Sequence, residues 1–468
     1  MENKKIFFSI LLMIITPYLF QECKNITGSN KTISISGRVF IENGEKLDEV
    51  IIELYEACNI DTVLLNAYNN YQVGVEINQK SEFDHREKVA KYITECDANG
   101  EWIFHNIENN MYNVVVRKDS FGWIYHFNVN SDLEKVDTLR ETIYINEPIK
   151  DDLRLKTNQF LCINKNTYLP KGNKITFSEN NVILFKPNIS LTIYGDLINR
   201  SNIKVTSFNI DLKGNGLWIN SNHINSIGNI QFEFLKNPLT VEKAKEDLIE
   251  IYNIFVRNCE NGIYIKEENA SIRNSVFKNI KFNAIQVNNK FFINRCVIYK
   301  TNGIFFNNAE GVINNSFITK NEIGLRPLKG DVNIINNEFR NNKISISASA
   351  SKFEVIKNDF LLSNLDIEMN KTYESQVYEY CIPYISMNNF FSSDTAISLY
   401  GKHSASGPHY KGIGVNKNVE AKNCYWGTAN YFEITKKIYD KNDKSDLMYE
   451  VLFEPFEKVE IKDAGIKY

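Results

Sequence analysis

The chain is short of several things, and each shortage removes a class of function. Lys and Arg total 54 against 57 Asp and Glu, a net charge of -3, so no global field attracts nucleic acid or an anionic membrane surface. Nine prolines in 468 residues are too few for a linker-rich chain. Eight cysteines over this length, none in a CxxC, do not make a dense disulfide framework. Cys58 and Cys96 fall in one N-terminal region where they could pair, whereas Cys162, Cys259, Cys296, Cys381 and Cys424 read as small buried residues. No GxSxG, HExxH, Walker loop or calcium-hand pattern occurs. The expectation for cofactors is therefore none, with calcium the one ion for which the carboxylates discussed below leave room.

One apolar run, residues 6–20, follows Lys4 and Lys5. It is shorter than the roughly 20 residues that span a bilayer and reads as an export signal over residues 1–22. The mature protein is then expected outside the cytoplasm, secreted or in the cell envelope, with membrane contact only through its N-terminus. Cys23 is a candidate for lipidation, although Phe20, Gln21 and Glu22 are not the small residues that usually precede such a cysteine. Ordinary cleavage and an uncleaved anchor are the alternatives.

Aromatic residues are plentiful, with 24 Tyr and 30 Phe, and over residues 255–360 they belong to a phrase that repeats. IFVRNCENGIYI, SVFKNIKFNAIQV, CVIYKTNGIFF, NSFITKNEIGLRP, NEFRNNKISIS and NDFLLSNLDIEM carry apolar anchors at Phe255, Phe277, Val297, Phe317, Phe339 and Phe360. Successive anchors are 22, 20, 20, 22 and 21 residues apart. A Gly-Ile-like pair follows in the first four phrases: Gly262-Ile263, Ala284-Ile285, Gly303-Ile304 and Gly324-Leu325. The runs between Asn and Gly alternate apolar with polar and lack helical periodicity, so each unit is a strand-turn-strand-turn coil stacked on the next. Stacking places equivalent residues about 4.8 Å apart and buries alternate side chains in one core. The expected fold class is all-β.

Upstream, ISISGRVFIENGEKLDEVIIELYEA reads as two strands joined by a turn at Asn43-Gly44. TECDANGEWIFHNIENNMYNVVVRK reads as a turn at Asn99-Gly100 with Trp102, Phe104 and Ile107 ahead of a strand from Tyr112. The charged stretch NQKSEFDHREKVAKY is expected to be a loop or short helix. Ser36-Gly37-Arg38-Val39 and the residues from Asp97 to Tyr112 resemble the carboxypeptidase regulatory-like family over residues 35–118. That resemblance implies a small prealbumin-type β-sandwich, an accessory domain without catalytic residues.

From Gln159 onward, LTIYGDL, the Trp-containing Leu217-Trp218-Ile219, the repeating phrases and a closing KNCYWGTANYFEITKKIYDKND with VLFEPF resemble extracellular right-handed parallel β-helix proteins of the pectate-lyase-like superfold. The organisation expected is a signal (1–22), a linker (23–34), a β-sandwich (35–150) and a right-handed parallel β-helix (158–460). Residues 236–250 are charged and are expected to leave the coil stack as a helix or loop. Wider spacing after Phe360, to Phe390 and Tyr425, predicts bulging turns near residues 371–380 and 401–416.

Alternation assigns faces. With Phe317, Phe339 and Phe360 inward, Asn315, Asn337 and Asn358 are inward too, as an amide ladder or in left-handed turns. Glu338 and Asp359 then point out on neighbouring coils. They are a candidate carboxylate pair for an ion or a general acid, or else a solvated cluster with Arg340. On the next strand Tyr264, Gln286, Phe305 and Arg326 align outside, a set suited to the apolar faces and hydroxyls of sugars unless a turn or the 236–250 excursion covers it. His403 and His409, with Lys402 and Lys411, fall in a long turn that reads as solvated loop.

Three functions remain open. One is recognition of polysaccharide or a surface partner along the solenoid, with the sandwich as spacer. A second is a polysaccharide-cleaving or de-esterifying enzyme, for which Lys266, Arg326, Lys329, Arg340 and Lys343 supply cations but no spacing sets one beside a carboxylate cluster. The third is an adhesin or structural envelope protein.

Overall fold

The computed structural model describes residues 32–467 apart from residues 45, 200, 246–247, 375–376, 392 and 402–411. The expected signal segment, Cys23 and the turn carrying Lys402, His403, His409 and Lys411 lie outside the described residues. Within them the chain separates into two compact units. Residues 32–57, 87–119 and 123–139 form the first, and residues 58–86, 120–122 and 140–467 form the second.

The first unit has a sheet of three strands, Glu101–Glu108, Thr32–Ile41 and Val136–Leu139, and a sheet of four, Tyr92–Glu95, Ile51–Glu56, Tyr112–Lys118 and Gly122–Val129. Alternation puts Ile35, Val39, Ile52, Leu54, Trp102 and Phe104 among the buried residues. Asn43-Gly44 does lie between the first two strands, yet these enter different sheets instead of pairing as a hairpin. At Asn99-Gly100 the turn is tight. Gly100 has φ +81°, and a Cβ there would fall 2.0 Å from the Val39 carbonyl oxygen, so only glycine fits. Cys58 and Cys96 are free thiols rather than a disulfide.

Residues 140–467 wind into a parallel β-solenoid. Its first sheet has twelve strands, from Ile143–Ile145 to Asn389–Phe390, and its second twelve, from Thr167–Leu169 to Ile438–Tyr439. The third has ten, from Ser226–Gly228 to Val451–Leu452. Pairing begins before residue 158 because Ile143 and Ile145 pack against the core and lie in register with Leu161 and Ile163. The described strands of the stretch 236–250 stay in the stack. Leu239–Lys243 and Leu248–Tyr252 are rungs of the second and third sheets, with Leu239, Val241, Ile249 and Ile251 inward and Glu242 and Glu250 on alternate positions. The later excursions are antiparallel hairpins, Thr372–Glu374 with Val377–Glu379 and Tyr400–Gly401 with Gly412–Ile413.

The repeating phrase proves to be two registers laid over one another. Phe277, Ile298, Ile318, Phe339 and Phe360 form the inward rung of the first sheet. Inside the solenoid Phe339, Phe360, Phe390 and Trp426 stack at 4.9, 5.0 and 4.9 Å between successive rings. Phe317, taken as inward from the sequence, points outward from the same sheet, as do the anchors Phe255 and Val297. They are buried all the same, in a separate cluster with Leu64, Ala67, Val73 and Ile77. Segment 58–86 therefore covers the outer face of this sheet, which is apolar on both sides.

Asn315 is correspondingly not inward. It sits at φ +46° in the left-handed turn, a conformation Asn tolerates, and the rung beside Asn337 and Asn358 is Ser316. The ladder runs through full burial: the Cys296 N–H donates to Ser316 Oγ (3.1 Å), Ser316 N–H to Asn337 Oδ1 (2.9 Å), Asn337 N–H to Asn358 Oδ1 (2.8 Å) and Asn358 N–H to Asn388 Oδ1 (2.9 Å). A second ladder links Thr301, Asn321 and Asn342. These amides satisfy turn backbone groups that water cannot reach. The Gly-Ile pairs mark another close approach, since a Cβ on Gly262 would lie 1.8 Å from the Ala284 carbonyl oxygen.

Candidate functional site

The outer face of the first sheet carries the buried charges Glu233, Arg257, Lys278 and Glu338, and segment 58–86 lies on it. Asp61 caps the helix Thr62–Tyr71 by accepting from the Val63 N–H at 3.1 Å, as an N-cap acid does. Leu64 and Ala67 of this helix pack on Phe255, Val276, Val297, Tyr299 and Phe317. Beside that cluster, Asp84 pairs with Arg86 at 2.7 Å, and Glu233 holds Arg257 at 2.6 Å and Lys204 at 3.1 Å. Burial opposes ionisation of Asp84. Arg86, which both faces it and donates to it, prevails with Lys204 and His85 and keeps the carboxyl well below the usual range. Further along, Lys278 bridges Glu82 (2.7 Å) and Asp61 (3.6 Å).

Glu338 and Asp359 are neighbours on this outer face, as the alternation requires, but they are not a solvated cluster. Glu338 is 5% exposed and pairs with Arg340 at 2.6 Å. Burial raises its carboxyl, with Arg340 opposing and Asp359 adding to the rise. Burial likewise pushes Asp359 up to about 6, against a hydrogen bond from Asn389. The C-terminal residues cross over this pair. Asn389 donates to Asp359 at 2.8 Å and exchanges hydrogen bonds with the backbone of Ile461, and Asn336 donates to the carbonyls of Asp463 and Gly465. Among the described residues no group of three or more His, Cys, Asp or Glu could hold a metal ion.

The second sheet presents a different surface. Tyr264, Gln286, Phe305 and Arg326 stand in register on four consecutive strands, with Ile263, Ile265, Ile285, Val287, Ile304 and Phe306 buried beneath. The four are part of a longer column. Upstream it continues through Thr240, Trp218, Thr192 and Tyr168, of which Trp218 is 39% and Tyr168 43% exposed. Beyond Arg326 come Ser347, Glu368 and Ser398, all buried, where the two hairpins rejoin the coils. Sequence reasoning stopped at Tyr264 because the upstream coils depart from the 20- to 22-residue spacing of the phrases, although the alternation in TYL and LWI carries the same signal.

The column is held by its neighbours. The Trp218 indole N–H donates to Glu242 at 3.0 Å, and Lys266 donates to the same carboxylate at 2.6 Å. Lys266 is the main cause of Glu242's lowered pKa, and Trp218 adds to it. Asn288 donates to the Tyr264 hydroxyl at 3.1 Å. The Arg326 guanidinium lies 5.3 Å from the centre of the Phe305 ring and donates to Asn283; its burial lowers its pKa to about 10. Of the other cations singled out from the sequence, Lys329 pairs with Glu379 at 3.2 Å, Lys343 with Glu322, and Arg340 with Glu338.

Chemically, a row of rings alternating with hydroxyl and amide groups, exposed at Tyr168 and Trp218 and half-buried from Tyr264 to Phe305, can hold a ligand that is apolar on its flat faces and polar at its edges. At the other end of the solenoid, an open cleft of about 680 Å³ is lined by Lys422, Tyr431, Phe432, Asp440 and Phe453 among others; Asp440 there accepts from the backbone N–H groups of Asn442 and Val451. No described helix is long and apolar enough to cross a membrane. No family model matches this chain, and neither a curated protein nor a solved structure does.

Proposed function

We propose that this chain is an exported solenoid that binds polysaccharide, its own or a partner surface's, along the column from Tyr168 to Arg326. The observation that carries the reading is a row of rings and polar side chains in unbroken register on one sheet, exposed at Tyr168 and Trp218 and half-buried at Tyr264 and Phe305. Rings interleaved with Thr and Gln suit the apolar faces and hydroxyls of sugars better than they suit an apolar protein face. The carboxylate pair Glu338–Asp359 lies under residues 461–467, so the open column is the better place for a ligand.

Export rests on the character of residues 1–22, and the spacer role of the first unit on its resemblance to the carboxypeptidase regulatory-like family. Affinity electrophoresis of the chain lacking residues 1–22 through gels containing neutral and uronate-containing polysaccharides tests the binding. Retardation that is lost in Tyr264→Ala/Phe305→Ala supports it. Equal mobility in every gel overturns it, and release of unsaturated products or reducing ends replaces it with the enzymatic reading.

A further inference from the structure

The column has a period that the four residues first singled out do not reveal. Its rings stand at Tyr168, Trp218, Tyr264 and Phe305, and between each pair lies one polar rung: Thr192, Thr240 and Gln286. Rings thus recur at every second coil. Strands in register are about 4.8 Å apart, so the rings recur at about 9.6 Å, and Tyr168 to Phe305 spans about 29 Å.

A linear glycan that is a twofold ribbon turns each sugar over relative to the one before it. It presents the same face at every second sugar, and two sugars advance the chain by close to the distance that separates these rings. From this match, which rests on the polysaccharide reading, we propose that the ligand is a linear twofold glycan of the β-1,4-linked kind. Every second sugar stacks on a ring, and the intervening sugars turn their hydroxyls to Thr192, Thr240 and Gln286.

The platforms are rigid before binding, which lowers the ordering cost. Trp218 is tied to Glu242 and Tyr264 to Asn288. Phe305 shares its ring with the Arg326 guanidinium, so the gain per pair of sugars is greatest over Tyr168, Trp218 and Tyr264. Buried Ser347 and Glu368 follow Arg326, and the site ends there, about six or seven sugars long by strand spacing.

Calorimetry of the exported form with cello-, manno- and chito-oligosaccharides of two to six sugars, and with maltohexaose and laminarihexaose, tests the match. For at least one twofold series, affinity is expected to rise in steps at three and five sugars, where a further ring is reached, and little at four and six. The helical hexaoses are expected to bind at least tenfold more weakly. A swap variant, Tyr264→Gln/Gln286→Tyr, keeps composition but breaks the two-coil period, and should lose at least fivefold in affinity with an unchanged melting curve. Tyr384→Ala on the third sheet, 49% exposed, should bind as wild type.

Smooth dependence on length, or equal binding of helical hexaoses, overturns the twofold match and leaves the polysaccharide reading standing. Wild-type affinity in the swap variant does the same. Should the swap variant fail to fold, the length series on the unaltered chain decides alone. Retention of no glycan at all overturns both.

Discussion

Asn358 is where the solenoid's architecture can be tested most sharply, because its side chain is enclosed and every polar atom has a named partner. Its Oδ1 accepts from the Asn337 N–H at 2.8 Å and from Asn337 Nδ2 at 3.1 Å. Its Nδ2 donates to the carbonyls of Ile334 (2.8 Å) and Ile356 (3.1 Å). In Asn358→Ala the Asn337 N–H loses its acceptor in a place water does not reach, while Asn337 Nδ2 keeps the Ile313 and Ile335 carbonyls.

One orphaned buried donor costs about 1–3 kcal/mol, and the lost bonds to carbonyls about 1 kcal/mol more, giving about 2–4 kcal/mol in all. The chain contains its own control: at the equivalent rung Ser316 accepts the Cys296 N–H and donates to the Asn314 carbonyl. Asn358→Ser therefore keeps an acceptor and should lose only about half as much. Urea unfolding followed by far-ultraviolet circular dichroism measures both, with the slope checked for unchanged cooperativity. A loss below about 0.5 kcal/mol in Asn358→Ala, or Ser no better than Ala, would refute the ladder as a stabilising element.

Three further outcomes follow from the covered sheet. Glu233→Ala removes the acid that faces Arg257 and Lys204 and should destabilise the second unit by about 3–5 kcal/mol in the same unfolding assay, because buried Arg257 loses this carboxylate while Lys204 keeps Asp84 at 3.8 Å. Leu64→Ala should cost about 2–4 kcal/mol and speed proteolysis within residues 58–86; unchanged cleavage contradicts the docking of that segment. For Asp359 the sign is fixed by its raised carboxyl, at about 6 against an ordinary 3.8. Between those values the folded chain keeps a proton that the unfolded chain has released. The Asp359 contribution to stability should thus be greatest below about pH 4 and fall by on the order of 2–3 kcal/mol as pH rises to about 6. Glu338, raised with Arg340 and Tyr71 facing it, acts in the same direction, while Glu460, Lys467 and Arg340 also face Asp359. Asp359→Asn should flatten the melting temperature over that interval, and a slope unchanged from wild type rejects the assignment.

The stacked-coil architecture was legible in the sequence because one face of the second and third sheets is open. Ile263-Tyr264-Ile265 and Ile304-Phe305-Phe306 alternate as half-buried strands do, so Tyr264, Gln286, Phe305 and Arg326 could be aligned correctly. On the first sheet that signal fails. Val276-Phe277-Lys278 and Val297-Ile298-Tyr299 are buried on both sides, and continuous apolar runs carry no face. Phe255, Val297 and Phe317 were consequently set one residue out of register, and Asn315 with them. The cover itself left a trace: Leu64, Ala67 and Tyr71 share one side of a helix, within a stretch too long to be a hairpin turn between Glu56 and Tyr92. Residues 236–250 misled in the opposite sense, since Glu242 and Lys243 suggested departure from the stack although Leu239 and Val241 kept the inward period.

The most direct test of ligand binding on the column is the emission of Trp218 during titration with a twofold hexaose. Trp102 and Trp426 are buried, Trp123 is half-buried in the strand Gly122–Val129 of the four-stranded sheet and Trp218 is 39% exposed, so a sugar stacking on the Trp218 ring should shift the wild-type emission with the same midpoint that calorimetry gives. In Trp218→Phe the shift should vanish while weakened binding persists. A shift that survives unaltered in Trp218→Phe, or saturable binding that leaves the wild-type emission untouched, would place the ligand elsewhere and contradict the account.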